Sequence, residues 1–204
     1  MGEERTKKLA YEGETIPLRG LELAELLEKH GVRFVYGFYK KEEKNKPLLI
    51  MNVKGNHEDD DGYLLSSVGN KEWLDGKGAA FLGIKGAGRM ANGNYLHVID
   101  IDDNSAIQRI WMDNHELFKG TICTRGSKGF HIYVQTEKPM KTEHHDWGEL
   151  LGIGAFAFMP PSRNRSTKKP YIWFYGDKIN FVPSETLAKI TKYVRQKPLA
   201  EYFG

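Results

Sequence analysis

The sequence has very little cysteine, because Cys123 is the single one among 204 residues. One thiol cannot form a disulfide within the chain, and it cannot build a zinc–thiolate site by itself. Cys123 lies in the apolar run 121–124, where a buried strand position is the simplest expectation. Disulfide scaffolds and thiolate metal clusters are therefore excluded within the chain, and a reducing cytoplasm is the expected compartment.

Long apolar runs and a strong net charge are lacking as well. No stretch approaches the roughly 20 apolar residues of a membrane helix, and the start MGEERTKK does not look like a signal peptide. We therefore expect no membrane partner. With 40% hydrophobic residues and a formal net charge of only +3, the chain is expected to be globular. A nucleic-acid partner would need a local basic patch, because the overall charge does not argue for one.

The order of predicted elements indicates an α+β fold with an antiparallel sheet. The length fits one domain or two fused subdomains. Helices are predicted over 20–30, from a cap at Asp103 or Asn104 to about Phe118, over 142–151, and from Pro183 to about Gln196. Strands are predicted over 33–38, 48–53, 80–84, 95–102, 121–124, 130–135, 153–159 and 171–175. A long loop over 54–79, with a short helix near Trp73, and a flexible turn over 85–94 complete the prediction.

Two aspartates follow one another on the most apolar predicted strand, VIDID at 98–102. Side chains alternate along a strand, so Asp100 and Asp102 point to one face and Ile99 and Ile101 to the other. Two close carboxylates repel, and a hard divalent cation such as magnesium removes that cost. The alternative is a strand end with solvated acids running into a helix cap, which suits Asp103 better than Asp100.

A glycine-containing turn, TRGSKGFH at 124–131, precedes another predicted strand. It offers backbone amides, a hydroxyl and two cations, which are the groups that bind a polyphosphate. The residues of interest are Arg125, Ser127, Lys128 and His131. A lone histidine is more often a satisfied, partly buried side chain, but its place directly after this turn favours a functional role for His131.

A basic loop lies between the last two predicted strands. It carries four cations within seven residues, and aromatic residues follow it: Arg163, Arg165, Lys168, Lys169, Tyr171 and Trp173. Such a loop can hold phosphates by charge and stack a base on a ring. A solvated surface loop explains a basic run equally well.

Taken together, these motifs resemble the bifunctional primase–polymerase domain of archaeal plasmid and viral replication proteins, in the archaeo-eukaryotic primase superfamily. The Asp-x-Asp strand matches the first motif of that family, and TRGSKGFHIYV is similar to its second. ELLGIGAFAFMPPS is similar to the third motif, which places Glu149 at an acidic position, with Asp146 as a competing candidate. Tyr171 and Trp173 match the Tyr-x-Trp strand that follows in the family. The resemblance covers about residues 20–175.

The resemblance implies a role for each residue. Asp100, Asp102 and Glu149 would hold two divalent ions, Mg²⁺ or Mn²⁺, and would be catalytic together with His131. The nucleoside triphosphate would be bound by Arg125, Ser127, Lys128, His131, Arg163 and Arg165. Single-stranded DNA, as template or primer, would be bound by Lys168, Lys169, Tyr171 and Trp173. Nucleotidyl transfer to a 3′-hydroxyl would release pyrophosphate.

The resemblance also implies an architecture. It is an archaeo-eukaryotic primase fold, with an RRM-like antiparallel catalytic sheet at about 95–204 and an N-terminal α/β part at about 1–94. The whole chain would be one catalytic domain with the active site between the two parts. It would serve plasmid or viral replication, as a piece of a longer replication protein or beside a helicase.

Three other functions use some of the same features. A non-catalytic nucleic-acid-binding or origin-recognition module could retain the fold, although the Asp100/Asp102 pair argues against lost catalysis. A rolling-circle nuclease would need two histidines on one strand face, and the adjacent His144 and His145 cannot share one. A metal-dependent nuclease could use the acids but does not explain the phosphate-binding turn.

Overall fold

The structure is a computed structural model that describes residues 8–11, 14–17, 20–38, 74, 80–126, 129–164, 167 and 169–192. The helices are α1 Gly20–Lys29, α2 Asn104–Ile107, α3 His115–Phe118 and α4 Ser184–Thr191, with a π-helical turn Gln108–Met112 between α2 and α3. The strands are β1 Lys8–Tyr11, β2 Glu14–Pro17, β3 Phe34–Phe38, β4 Ala80–Lys85, β5 Gly88–Arg89, β6 Tyr95–Ile101, β7 Cys123–Arg125, β8 Phe130–Thr136, β9 Glu143–His145, β10 Gly148–Leu151, β11 Phe156–Met159, β12 Ile172–Tyr175 and β13 Asn180–Phe181.

The largest sheet of the described residues has eight strands. Six of them follow the order β12-β7-β8-β6-β10-β9, and each neighbouring pair along this path is antiparallel. The short strand β5 pairs with β6, and β13 pairs with β8 in parallel. The strongest predicted strand, β6, therefore lies in the middle of the sheet, with β8 on one side and β10 on the other.

A smaller sheet of three strands has the order β11-β4-β3. Strand β11 comes from the second half of the chain, yet it pairs with β4 along Phe156↔Lys85 to Met159↔Leu82. The loop after β11 is fixed to the same strand, because the buried Ser162 hydroxyl donates to the carbonyl of Leu82 and accepts from its amide, both at 2.9 Å. Strands β1 and β2 form a separate hairpin.

Two apolar clusters lie on opposite faces of the large sheet, as the alternation along β6 requires. The front face carries Leu96 and Val98, which pack with α1 and the small sheet. The back face carries Ile99 and Ile101, which pack with α2, the π-helical turn, α3 and α4. Helices thus cover the back of the sheet, and α1 with the small sheet covers part of the front.

The mixed α+β composition with antiparallel sheets is confirmed. The predictions of α1, β3, β4, β6, the β7–β8 pair, β11 and β12 are confirmed with shifts of a few residues. The helix predicted from Asp103 to Phe118 is interrupted by the π-helical turn and by residues 113–114. The strand predicted over 48–53 and most of the loop at 54–79 lie outside the described residues. No helix in the described part of the chain is long and apolar enough to cross a bilayer.

One prediction was wrong, and another holds only in part. Residues 142–151 are not a helix but the hairpin β9–β10, because β10 completes a ladder with the edge of β6. Gly148 makes this possible: its φ is +146°, and a Cβ there would lie 2.0 Å from the carbonyl oxygen of Asp100. The turn predicted over 85–94 contains the short strand β5, which pairs with the start of β6.

Candidate active site

Asp100 lies at the centre of the large sheet, between a histidine on one neighbouring strand and a glutamate on the other. Its register partner on β8 is His131, and its register partner on β10 is Glu149. Residues directly opposite each other on paired strands project to the same face. Asp100, His131 and Glu149 therefore share the front face, the one that also packs with α1 and the small sheet.

The same register continues to both edges of the sheet. His131 is paired with Thr124, Thr124 with Trp173, and Glu149 with His144. One row of side chains thus crosses six strands. From β12 to β9, this front row consists of Trp173, Thr124, His131, Asp100, Glu149 and His144.

Two close polar contacts join neighbouring members of the front row. The Nε2 atom of His131 lies 3.2 Å from Oδ1 of Asp100, and the His131 side chain is only 8% exposed. The Nδ1 atom of His144 lies 2.9 Å from Oε1 of Glu149, whose side chain is 40% exposed. Asp100 is 25% exposed. Both carboxylates are therefore accessible to solvent, although the sheet is otherwise well packed. A ligand could reach them from the front face.

Asp102 and Asp103 follow β6 directly and have different surroundings. Their amides both donate to the Trp147 carbonyl, at 2.9 and 3.0 Å, which holds the end of β6 against the β9–β10 turn. Asp102 is exposed. Asp103 caps α2, because its carboxylate accepts from the Ser105 amide at 2.8 Å and from the Ser105 hydroxyl at 2.7 Å. The predicted capping role of Asp103 is confirmed.

The acidic residues have the chemistry of a divalent-cation site, since Mg²⁺ and Mn²⁺ take carboxylate oxygens. Among the described residues, no three His, Cys, Asp or Glu side chains are already grouped as a metal site. Asp100 and Glu149 are nevertheless on neighbouring strands and one face, while Asp146 lies in the exposed β9–β10 turn. That Asp100, Asp102 and Glu149 bind one or two ions together stays a prediction.

The glycine-containing turn after β7 lies against the end of β6. The Gly126 amide donates to the Gly129 carbonyl at 2.9 Å. A Cβ at Gly129 would lie 1.7 Å from the Ile101 carbonyl oxygen, so only glycine allows this approach. The turn is thereby placed next to Asp102. Ser127 and Lys128, the two predicted phosphate ligands within it, lie outside the described residues.

Arg125 is not brought to the front row. It pairs with Phe130, one position away from Thr124 and His131, so it projects to the back face. Its guanidinium carbon lies 5.8 Å from the centre of the Phe130 ring. In this arrangement Arg125 does not contribute to the surface that Asp100 and Glu149 share.

The basic loop is only partly described. Arg163 pairs with Pro170, and the Asn164 amide donates to the Lys169 carbonyl at 2.8 Å, which closes the loop at its base. Lys169 is exposed. Arg165 and Lys168 lie outside the described residues.

The two predicted aromatic ligands have separate positions. The ring of Tyr171 lies 5.3 Å from that of His131, so it borders the centre of the site. Trp173 lies at the end of the front row, and its indole nitrogen donates to the Gly176 carbonyl at 2.8 Å. Trp173 also lines a groove with Glu22 and Glu25 of α1, an acidic neighbourhood for a residue predicted to meet nucleic acid.

Two members of the front row, Thr124 and His144, were not predicted from the sequence as site residues. The Thr124 hydroxyl lies 3.0 Å from the Tyr133 hydroxyl, and the Tyr133 hydroxyl lies 3.4 Å from Nδ1 of His131. Burial raises the pKa of the Tyr133 phenol far above its usual range, and the hydrogen bond with Thr124 opposes this only in part. Period-two alternation indicates that Tyr133 shares a face with His131, but the partners across the strands depend on the register.

Comparison with models of known protein families gave no match for this chain, and a search of the curated proteins gave none either. The function is therefore inferred from the residues of the front row and their surroundings.

Proposed function

We propose that this protein is a template-dependent DNA primase–polymerase of the archaeo-eukaryotic primase type, which transfers a nucleotide from a (deoxy)nucleoside triphosphate to a 3′-hydroxyl. One observation carries the proposal: Asp100 has His131 and Glu149 as direct register partners on the front face. These residues belong to three motifs that are far apart in the sequence, and a shared function explains why they meet in one row.

The arrangement suits phosphoryl transfer. Two divalent ions held by Asp100, Asp102 and Glu149 would activate the attacking hydroxyl and neutralise the charge on the triphosphate. Asp100 and Glu149 project from neighbouring hydrogen-bonded strands, which fixes their relative positions before substrate binds. His131 supplies an N–H donor beside them, and the turn at Gly126–Gly129 brings backbone groups to the end of β6.

The architecture supports the same proposal. Helices cover the back of the large sheet, and α1 with the small sheet lies over part of its front. A sheet with helices behind it and an α/β part in front is the arrangement expected for a primase–polymerase, with an RRM-like catalytic half. The partly exposed Asp100 and Glu149 would then lie where template, primer and nucleotide meet.

A primer-extension assay with labelled nucleotides, template DNA and Mg²⁺ or Mn²⁺ tests the proposal. Wild-type protein should extend the primer, and Asp100→Asn should reduce the rate by about 100-fold or more, since a charge that holds a catalytic ion is lost. Asp103→Asn is the matched control, because asparagine keeps the α2 cap and removes a neighbouring carboxylate. Its rate should equal that of wild type.

Other outcomes of this assay separate the rival functions. Template binding without any nucleotide incorporation, in every metal tested, would favour a nucleic-acid-binding or origin-recognition module. Shortening of the primer or template DNA, abolished by Asp100→Asn, would identify a nuclease. Equal extension by wild type and Asp100→Asn would refute the proposed mechanism.

A further inference from the structure

A chain of hydrogen-bonding groups runs behind His131, away from the exposed carboxylates. The Thr124 hydroxyl lies 3.0 Å from the Tyr133 hydroxyl, and the Tyr133 hydroxyl lies 3.4 Å from Nδ1 of His131. On the other side of the ring, Nε2 lies 3.2 Å from Asp100 Oδ1. The imidazole is thus held at both nitrogens, each by a different kind of partner.

The two partners require different roles from the two nitrogens. An ionised carboxylate only accepts hydrogen bonds, so Nε2 must carry a hydrogen where it faces Asp100. In a neutral imidazole the other nitrogen is then an acceptor, and the Tyr133 hydroxyl must donate to Nδ1. With its hydrogen used in this way, the Tyr133 oxygen accepts from the Thr124 hydroxyl.

Burial supports this assignment of hydrogen-bond donors and acceptors. Thr124 and Tyr133 are both fully buried, so their hydroxyl groups depend on partners inside the protein. The phenol also stays neutral, because burial raises its pKa, and it therefore keeps its hydrogen for donation. In the opposite tautomer, a lone pair on Nε2 would face the Asp100 carboxylate at 3.2 Å, an unfavourable contact.

We infer that Tyr133 is a positioning residue, which with Thr124 on one side of the ring and Asp100 on the other fixes His131 as the tautomer that carries its hydrogen on Nε2. The consequence for catalysis rests on the proposed function. The one hydrogen of the Nε2–H group faces Asp100 Oδ1, and a nucleotide phosphate bound beside that carboxylate would share it. A fixed tautomer keeps this group a donor, whereas the other tautomer would present a lone pair to an anionic ligand.

The tautomer can be measured without substrate. Protein with ¹⁵N-labelled histidine is studied by long-range ¹H–¹⁵N correlation at a pH where the imidazole is neutral, and the His131 signals are assigned with His131→Gln. In wild type, Nε2 should show the shift of a protonated nitrogen and Nδ1 that of a bare one. In Tyr133→Phe, which keeps the buried ring, the two nitrogen shifts should move toward each other as the second tautomer appears.

A matched control is Tyr95→Phe, which removes a tyrosine hydroxyl from β6 outside the front row. It should leave the His131 signals unchanged. If Tyr133→Phe does not fold, protein grown with 3-fluorotyrosine keeps every hydroxyl and makes each a stronger donor. The Nδ1 signal should then shift in the direction of stronger hydrogen bonding. A hydrogen on Nδ1 in wild type, or unchanged shifts in Tyr133→Phe, would overturn the inference.

The catalytic consequence is tested separately. Nucleotide affinity in Tyr133→Phe should fall by about 2- to 12-fold, the effect of one neutral hydrogen bond, with no change in Tyr95→Phe. A changed tautomer in a protein that binds no nucleotide would uphold the positioning role and refute the proposed function. A changed tautomer with unchanged nucleotide affinity would show that the Nε2–H group does not meet the nucleotide.

Discussion

Glu149 lies directly across the β6–β10 pair from Asp100, on the same face of the sheet. The two residues are 49 positions apart in the sequence, and they come together only because the chain returns to β6 as the hairpin β9–β10. Two neighbouring carboxylates on one face repel unless a cation or a proton lies between them. This relationship is the physical reason to expect a metal ion at the site.

We expect Glu149→Gln to weaken Mn²⁺ binding by roughly 10-fold or more. Even the loss of a residue that only hydrogen-bonds to a metal ligand lowers metal affinity by about that much. Asp146→Asn should bind Mn²⁺ as wild type does, since Asp146 is in the exposed turn and is not a register partner of Asp100. Free Mn²⁺ is measured by electron paramagnetic resonance during titration. If Asp146→Asn weakened Mn²⁺ binding and Glu149→Gln did not, Asp146 would be the ligand.

We expect His131→Ala to weaken nucleotide binding by about 10- to 150-fold, the value of one charge-assisted hydrogen bond. Template affinity should stay near that of wild type, because the side chain is almost buried beside Asp100. Titration with a fluorescent nucleotide and with labelled template measures both affinities. His115→Ala, at an exposed position on α3, is the control. Lost template binding with normal nucleotide affinity would contradict the assignment of His131.

The paired substitution Lys168→Ala/Lys169→Ala should reduce the salt dependence of template binding. Each phosphate contact releases counterions, so the slope of log affinity against log salt should flatten by about 1.4–1.8. Labelled DNA is titrated at several salt concentrations. Lys119→Ala/Lys138→Ala removes the same charge from exposed positions elsewhere and should leave the slope unchanged. An equal slope in wild type and the first variant would mean that the loop is solvated surface.

Stability should fall in mild acid because of His97. Burial lowers the pKa of this fully buried ring to about 4, and the backbone of Leu151 and Lys138 opposes this only in part. The unfolded chain takes up the proton near pH 6.5, so stability is complete above that pH and is lost as the pH falls toward 4. The difference between the two pKa values corresponds to about 3 kcal/mol in the free energy of unfolding.

Urea unfolding at pH 7 and pH 4 measures this effect. Between pH 7 and pH 4, His97→Leu should lose about 3 kcal/mol less stability than wild type does, because leucine takes up no proton. His115→Leu, on the surface of α3, should follow wild type. If His97→Leu loses as much stability as wild type, the acid sensitivity comes from other groups.

The sequence predicted the individual strands better than their partners. Alternation predicted one face for Asp100 and Asp102, and the two isoleucines on either side of Asp100 are indeed in the back-face cluster. Register is different, because it depends on which strands meet and on single residues such as Gly148, whose missing Cβ allows β10 to approach β6. For this reason Thr124 and His144 could not be assigned to the site, and 142–151 was predicted as a helix.

Arg125 illustrates the same limit on a smaller scale. A shift of one position separates it from Thr124, and that shift places its side chain on the opposite face of the sheet from His131. Motif spacing alone treats every residue of the turn as equally available to a phosphate. The pairing of β7 with β8 decides which of them face the carboxylates.

The pairing of β11 with β4 has a consequence for synthesis of the protein on the ribosome. Strands β3 and β4 are synthesised early, but the free edge of β4 is paired only when residues 156–159 have been made. Ser162 must also be made before the backbone of Leu82 can form its hydrogen bonds with that side chain. Contacts so distant in sequence form late and slow folding. Until then the nascent chain exposes an unpaired apolar edge, which is a template for association with other chains. A ribosome-bound chain that stops before β11 should therefore be a substrate for chaperones.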